Sequence, residues 1–182
     1  MDKTVLVTGG SRSGKSRFAE NLLKETDDVL YIATAIVTDK EMEDRITKHR
    51  LNRNRKWETY EGFIDLEDVV EKCKHKNIML DCVTVMITNL MFNKKIDFDN
   101  MTMEEVDELL TYIESQFEKF ILKSKEKGIN LVMVTNEVGS GLVPEYKLSR
   151  IFRDIAGLTN QFIAKLCDEV YLISCGLPLK LK

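Results

Sequence analysis

The chain has 182 residues, which suits one domain around a single core. Its 43% hydrophobic and 31% charged residues exclude a low-complexity or disordered chain, and a net charge of −3 implies no general affinity for nucleic acid. No apolar run approaches the length of a membrane span.

Cys73, Cys82, Cys167 and Cys175 form no C-x-x-C pair, so neither a zinc site nor a thiol redox motif is suggested. Strand-like sequence starts by Thr4 and leaves no room for a signal peptide. The expectation is a reduced, cytoplasmic enzyme of one domain, 1–182.

Thr4-Val5-Leu6-Val7-Thr8 is β-branched and apolar, the composition of a buried parallel strand. Gly9-Gly10-Ser11-Arg12-Ser13-Gly14-Lys15-Ser16 follows and fits G-x-x-x-x-G-K-[ST], the phosphate-binding loop. Phe18, Ala19, Leu22 and Leu23 then make a helical face running to about Glu25. Glycines let successive N–H groups point inward around phosphate oxygens, and the helix N-terminus adds partial positive charge. Gly9 through Ser16 are therefore the nucleotide-binding candidates. Lys15 can bridge the β- and γ-phosphates, and the Ser16 hydroxyl can ligate Mg²⁺. A plain glycine-rich turn is the bland alternative, and the strand before and helix after argue against it. The loop fixes the ligand class, a nucleoside triphosphate, and leaves the reaction open.

Asp27-Asp28 marks a turn and Val29–Ala33 a second buried strand, with Thr34 at its carboxyl end, where ligands bind in open α/β sheets. Thr38-Asp39-Lys40-Glu41 is a capping box that starts a helix reaching Arg53. Arg45, His49 and Arg53 share one face of it, and Lys48, Arg50 and Arg55 add charge. One reading is a solvated basic face. The other is a triphosphate site in which the arginines, Arg50 and Arg53 among them, keep His49 neutral and able to attack phosphorus.

Trp57–Glu61 alternates like a short strand, with Trp57 and Tyr60 as core or stacking residues. Glu61 either accepts from a base or ribose or is a surface residue. Asp65–Lys74 is helical, and His75 after it complements the helix dipole without a further role. Ile78-Met79-Leu80-Asp81 reads as a Walker B strand. Its carboxylate either holds Mg²⁺ opposite Ser16 or caps the next helix.

Val83–Phe92 is an apolar, buried helix and Asn93–Asn100 a polar connection. Thr102-Met103-Glu104-Glu105 is a second capping box, behind which Val106, Leu109, Ile113, Phe117 and Phe120 repeat at helical spacing toward Lys127. Gly128 is its C-cap. Leu131–Thr135 is a strand, and Asn136–Gly141 a second loop facing the ligand. Glu145–Cys167 is mostly helical, Val170–Ser174 a strand, and Gly176 turns the chain into a short tail, 177–182. Strands alternating with helices predict an α/β protein: a P-loop NTPase-like, doubly wound, mostly parallel sheet with helices on both faces.

Several blocks then carry a resemblance. They are Val7–Arg17, Tyr31-Ile32-Ala33-Thr34, Glu41-Met42 with Arg45-Ile46, His49-Arg50 with Arg53 and Trp57, and Asp81-Cys82 with Thr84. Further on come Thr88-Asn89-Leu90, Thr135-Asn136-Glu137-Val138-Gly139, Val143-Pro144-Glu145, Phe152-Arg153-Asp154-Ile155-Ala156-Gly157 and Asn160-Gln161. In this order, over nearly the whole chain, they resemble the bifunctional adenosylcobinamide kinase / adenosylcobinamide-phosphate guanylyltransferase family of cobalamin biosynthesis. The resemblance implies that ATP or GTP phosphorylates adenosylcobinamide. GTP then guanylylates a histidine, matching His49, and GMP passes on to adenosylcobinamide phosphate. It also implies Mg²⁺ and a homotrimer with the basic helix near a subunit boundary. Asn54 departs from the family's frequent Pro, and Asp81 stands where some members have Glu.

Three other readings compete. A P-loop kinase of another small metabolite would share the loop and Asp81 and give His49 no role. A GTPase switch would need N-K-x-D, and neither Asn93-Lys94-Lys95-Ile96 nor Thr135-Asn136-Glu137-Val138 supplies it. A non-catalytic binding module would not need the intact Lys15, Ser16 and Asp81.

Overall fold

The structure, a computed structural model, describes residues 2–36, 40, 44, 47 and 54–182. Its strands are β1 (Thr4–Gly9), β2 (Val29–Ala33), β3 (Glu58–Glu61), β4 (Asn77–Asp81), β5 (Asn130–Val134), β6 (Glu169–Ser174) and β7 (Leu177–Lys180). Its helices are α1 (Lys15–Leu22), α2 (Leu66–Lys72), α3 (Val83–Asn93), α4 (Met103–Glu126) and α5 (Lys147–Leu166). The strands form one seven-stranded sheet in the order β3-β2-β4-β5-β1-β6-β7, parallel throughout except for β7.

Successive side chains of a strand point to opposite faces, and the core divides accordingly. Leu6, Leu30, Ile32, Ile78, Leu80, Leu131 and Met133 face one layer, where α2, α3, α4 and α5 pack. Val5, Val7, Val29, Tyr31, Met79, Val132 and Val134 face the other, with Ala19 of α1 and Trp57. Strands apolar on both faces need cover on both, so the buried runs in the sequence do predict the doubly wound architecture. Phe117 and Phe120 of α4 are fully buried, and truncating either to Ala would cost about 3–5 kcal/mol.

The second capping box forms as read. Thr102 Oγ1 accepts from the Glu105 amide at 3.2 Å, and the Glu105 carboxylate accepts from the Thr102 amide at 2.7 Å. Trp57 is buried core, its Nε1 donating to the Thr26 carbonyl at 3.1 Å. Two expectations are corrected, and one of the two roles read for Asp81 falls away. The tail after Gly176 is strand β7, because Cys175 and Gly176 take positive φ (53° and 80°) and close a two-residue hairpin. The cap before α3 is Cys82, not Asp81. His75 lies three residues beyond α2 and binds two carboxylates instead of a helix end. Among the described residues no helix is long and apolar enough to cross a membrane.

Candidate functional site

The phosphate loop leaves β1 at Gly9, where a side chain has no room. A Cβ there would lie 2.5 Å from the Ile173 carbonyl oxygen and 2.6 Å from Ser13 Oγ. Gly14 sits at φ +96°, a left-handed conformation that opens α1. The Ser13 amide donates to the Gly10 carbonyl at 3.2 Å, and the Phe18 amide to Gly14 at 3.0 Å, closing the first turn of α1. Gly10, Ser11 and Arg12 form the exposed rim, Arg12 with φ +58°.

Lys15 is 8% exposed and donates from Nζ to the Gly10 carbonyl at 3.0 Å, across the mouth of its own loop. Burial holds its pKa below the usual lysine value, while Cys82 and Asp81 nearby pull the other way. Ser13 Oγ is buried without a hydrogen-bond partner, an orphan polar atom inside the glycine-rich loop. Ser16 follows Lys15 in the first turn of α1.

Asp81 ends β4 and accepts from the Tyr31 hydroxyl at 2.6 Å. Tyr31 is 2% exposed and stacks on Trp57 with ring centres 6.5 Å apart. Thr34 lies beside Asp81, its amide donating to the Asp81 carbonyl at 3.2 Å. Its buried hydroxyl donates to the Cys82 carbonyl at 2.9 Å and accepts from the Cys82 amide at 3.0 Å. Thr34 thus clamps the chain after β4. Glu61 is exposed at the end of β3, opposite Ala33 in register.

The loop after β5 borders the phosphate loop, since the Glu137 amide donates to the Gly9 carbonyl at 3.1 Å. The Glu137 carboxylate accepts from the amides of Gly139 at 2.7 Å and Ser140 at 3.1 Å. Asn136 donates to Thr84 Oγ1 at 2.6 Å, and Asn160 of α5 donates to the Asn136 carbonyl at 3.1 Å. The structure therefore brings Gly9–Ser16, Thr34, Glu61 and Asp81 to the carboxyl edge of one sheet. His49, Arg50 and Arg53 lie outside the described residues.

Sequence reasoning missed Tyr31. An aromatic hydroxyl in an otherwise apolar strand next to a strand ending in Asp was the available signal. For a metal, the hard-oxygen donors this edge offers include the Ser16 hydroxyl and the Asp81 carboxylate. Among the described residues no group of three or more His, Cys, Asp or Glu is poised as a cage. One carboxylate and one hydroxyl suit Mg²⁺, which keeps several waters and shares substrate phosphates.

Residues 5–181 match the family described as cobinamide kinase / cobinamide phosphate guanyltransferase. The chain is 41% identical to the bifunctional adenosylcobalamin biosynthesis protein CobU of Escherichia coli (strain K12), over 98% of this chain and 99% of that one. It is 40% identical to the protein of the same name from Salmonella typhimurium, with the same coverage. It is 37% identical to the bifunctional adenosylcobalamin biosynthesis protein CobP of Pseudomonas aeruginosa, over 97% and 96%. Among solved structures it resembles an ATPase of a bacterial type III secretion system at 12% identity and a TM-score of 0.53, over 98% of this chain and 56% of that one. A Pyrococcus horikoshii protein gives 8% identity and a TM-score of 0.52, over 99% and 86%. At such identities these two likenesses concern the fold alone.

Proposed function

The chain belongs to the cobinamide kinase / cobinamide phosphate guanyltransferase family, and we propose that it performs both reactions in one domain spanning 1–182. It phosphorylates adenosylcobinamide with ATP or GTP, then transfers GMP from GTP to adenosylcobinamide phosphate, giving adenosylcobinamide-GDP. The observation that carries this reading is the phosphate loop, with Lys15 and Asp81 at one sheet edge, in a chain matched to the family over residues 5–181.

In the kinase step the acceptor hydroxyl attacks the γ-phosphorus, its bond to the β–γ bridging oxygen breaks, and the nucleoside diphosphate leaves. Loop amides from Gly10 to Ser16 orient the phosphates, and Ser13 Oγ gains the partner it lacks. Lys15 exchanges the Gly10 carbonyl for phosphate oxygens and neutralises charge on the transferring group. Ser16 and Asp81 would hold Mg²⁺, which when bound supplies further charge neutralisation on the phosphates.

In the guanylyltransferase step a ring nitrogen of His49 attacks the α-phosphorus of GTP and pyrophosphate leaves. An oxygen of adenosylcobinamide phosphate then displaces the histidine from the GMP phosphorus. Arg50 and Arg53 hold phosphate charge, and Thr34 and Glu61 stand at the nucleotide edge of the sheet. The working assembly is a cytoplasmic homotrimer.

The deciding experiment incubates the protein with Mg²⁺ and GTP labelled at the α-phosphate, without corrinoid. Label should stay on the denatured protein, be lost in acid and survive alkali, and disappear in His49→Ala, which keeps kinase activity. Lys15→Ala should lose both activities. Intact GTP binding without label would leave a kinase alone.

A further inference from the structure

Helix α3 starts directly after Asp81-Cys82, at the edge where the phosphates bind, and runs away from it. One face of it is core: Val83, Met86, Ile87, Leu90 and Met91 are buried. Its other face carries Val85, Thr88, Asn89, Phe92 and Asn93, and not one of these is charged. In a chain with 31% charged residues, an outward helix face is normally where the charges go. Here Phe92 is instead 54% exposed, and Ile36, beyond the end of β2, is 45% exposed. With Phe63 and the α3 face, Ile36 lines an open groove of about 520 Å³. That volume falls within the range of small-molecule sites, whose walls are mostly apolar with a few fixed polar groups.

The groove is joined to the reaction site. Asn89 donates to the Thr34 carbonyl at 2.6 Å, Thr34 clamps Cys82 through its hydroxyl, and Cys82 follows Asp81. From Val85 to Phe92 the helix rises about 10 Å. A ligand lying along it would hold one end beside Asp81 and the phosphate loop and its body against Ile36, Phe63 and Phe92.

We infer that this groove is the corrinoid subsite, holding the macrocycle of the acceptor while its hydroxyl arm reaches the γ-phosphate. The inference rests on the function proposed above. A corrin ring offers broad apolar faces and a rim of neutral carboxamides. An uncharged wall of Val, Phe and Ile flanked by Asn89 and Asn93 complements both, whereas a charged wall would have to be desolvated without a partner. A nucleotide would want cations here, and among the described residues that line the groove there is none.

The test is steady-state kinase kinetics with adenosylcobinamide and ATP on Phe92→Ser, Phe92→Leu and Asn93→Leu, with Leu122→Ser on α4 as a control outside the groove. Phe92→Ser should raise the KM for adenosylcobinamide about tenfold, with Phe92→Leu recovering part of it, while the KM for ATP moves by less than about twofold. Leu122→Ser should match wild type. Thermal melting reports folding, and Asn93→Leu, at an exposed position, keeps the test if Phe92→Ser unfolds. An unchanged corrinoid KM in folded Phe92→Ser and Asn93→Leu overturns the inference. So does a loss that comes with a smaller sedimenting mass and reverses at high protein concentration, which would make the groove a contact between copies. A wild-type chain that turns over no adenosylcobinamide overturns the functional reading itself.

Discussion

The amide of Gly176 donates a 2.9 Å hydrogen bond to the carbonyl of Ser13, joining the β6–β7 turn to the phosphate loop. The contact is close: a Cβ on Gly14 would lie 3.2 Å from Gly176 Cα. The hairpin that ends the sheet therefore also backs the glycine-rich loop between β1 and α1. Both turn residues, Cys175 and Gly176, have positive φ, so the position of the turn is set by backbone conformation.

Gly14→Ala should damage this arrangement twice. The left-handed φ of +96° costs a non-glycine residue about 1–3 kcal/mol, and the new methyl presses on Gly176. Denaturant unfolding should show a loss in that range, and calorimetry a weaker affinity for ATP and GTP alike. Wild-type values for both would mean that the loop tolerates the strain and that the turn does not support it.

Much of this was legible in the sequence for a physical reason. Alternation in β1, β2, β4 and β5 assigns each side chain to a face, and the G-x-x-x-x-G-K-S spacing of Gly9, Gly14, Lys15 and Ser16 places the loop between β1 and α1. What was not legible depends on partners far apart in the chain. Thr34 reads as a ligand contact because it follows a strand, yet its hydroxyl is bonded to Cys82, 48 positions on. The link from Tyr31 to Asp81 spans 50 positions. Strand β7 contains Pro178, which gives no donor to a ladder and is tolerated only because β7 is the sheet edge.

The Tyr31 hydroxyl makes Tyr31 a positioning residue for Asp81. Tyr31→Phe keeps the ring against Trp57 and removes only the donor. A hydrogen bond to a carboxylate contributes about 1.5–3 kcal/mol, so a measurable part should be lost from stability. The distinguishing readout is the Mg²⁺ dependence of the kinase rate. The concentration for half-maximal activity should rise severalfold, and saturating Mg²⁺ should restore most of kcat. A lower kcat with unchanged Mg²⁺ dependence would give Tyr31 a merely structural role.

Glu169, at the start of β6, accepts from Lys3 Nζ at 2.6 Å and from the Tyr171 hydroxyl at 2.8 Å, with Lys180 at 3.4 Å. The Lys3 hydrogen bond, then that of Tyr171, draws its carboxyl down to about 2. A carboxyl whose pKa falls on folding adds stability above its unfolded value, near 4.5, and loses it as pH drops through the folded one. Glu169→Gln keeps an acceptor and removes the charge. It should be less stable than wild type at pH 7, and the difference should shrink below pH 4.5 and vanish near pH 2. A difference independent of pH would show that shape, not charge, holds this edge.

His75 works in the opposite sense. Its Nε2 lies 2.7 Å from Glu58 and its Nδ1 2.9 Å from Asp28, so the imidazolium can donate to both. The ring thereby ties edge strand β3 to the turn before β2. The Glu58 hydrogen bond raises its pKa above the usual 6.5; burial, the next largest effect, opposes it, and the Asp28 hydrogen bond adds to the rise. A cation whose pKa rises on folding contributes fully below its unfolded pKa and loses that contribution as pH climbs through the folded one. His75→Gln should therefore be less stable than wild type at pH 5–6, and the two should converge once pH passes the raised value. Glu58 is 68% exposed, so about 1 M salt should also narrow the gap at low pH. NMR titration of the wild-type ring checks the direction independently. A midpoint at or below 6.5 would mean that the carboxylates do not hold the ring in solution, and β3 would then be held without it, by its ladder with β2 and the packing of Tyr60 on the core.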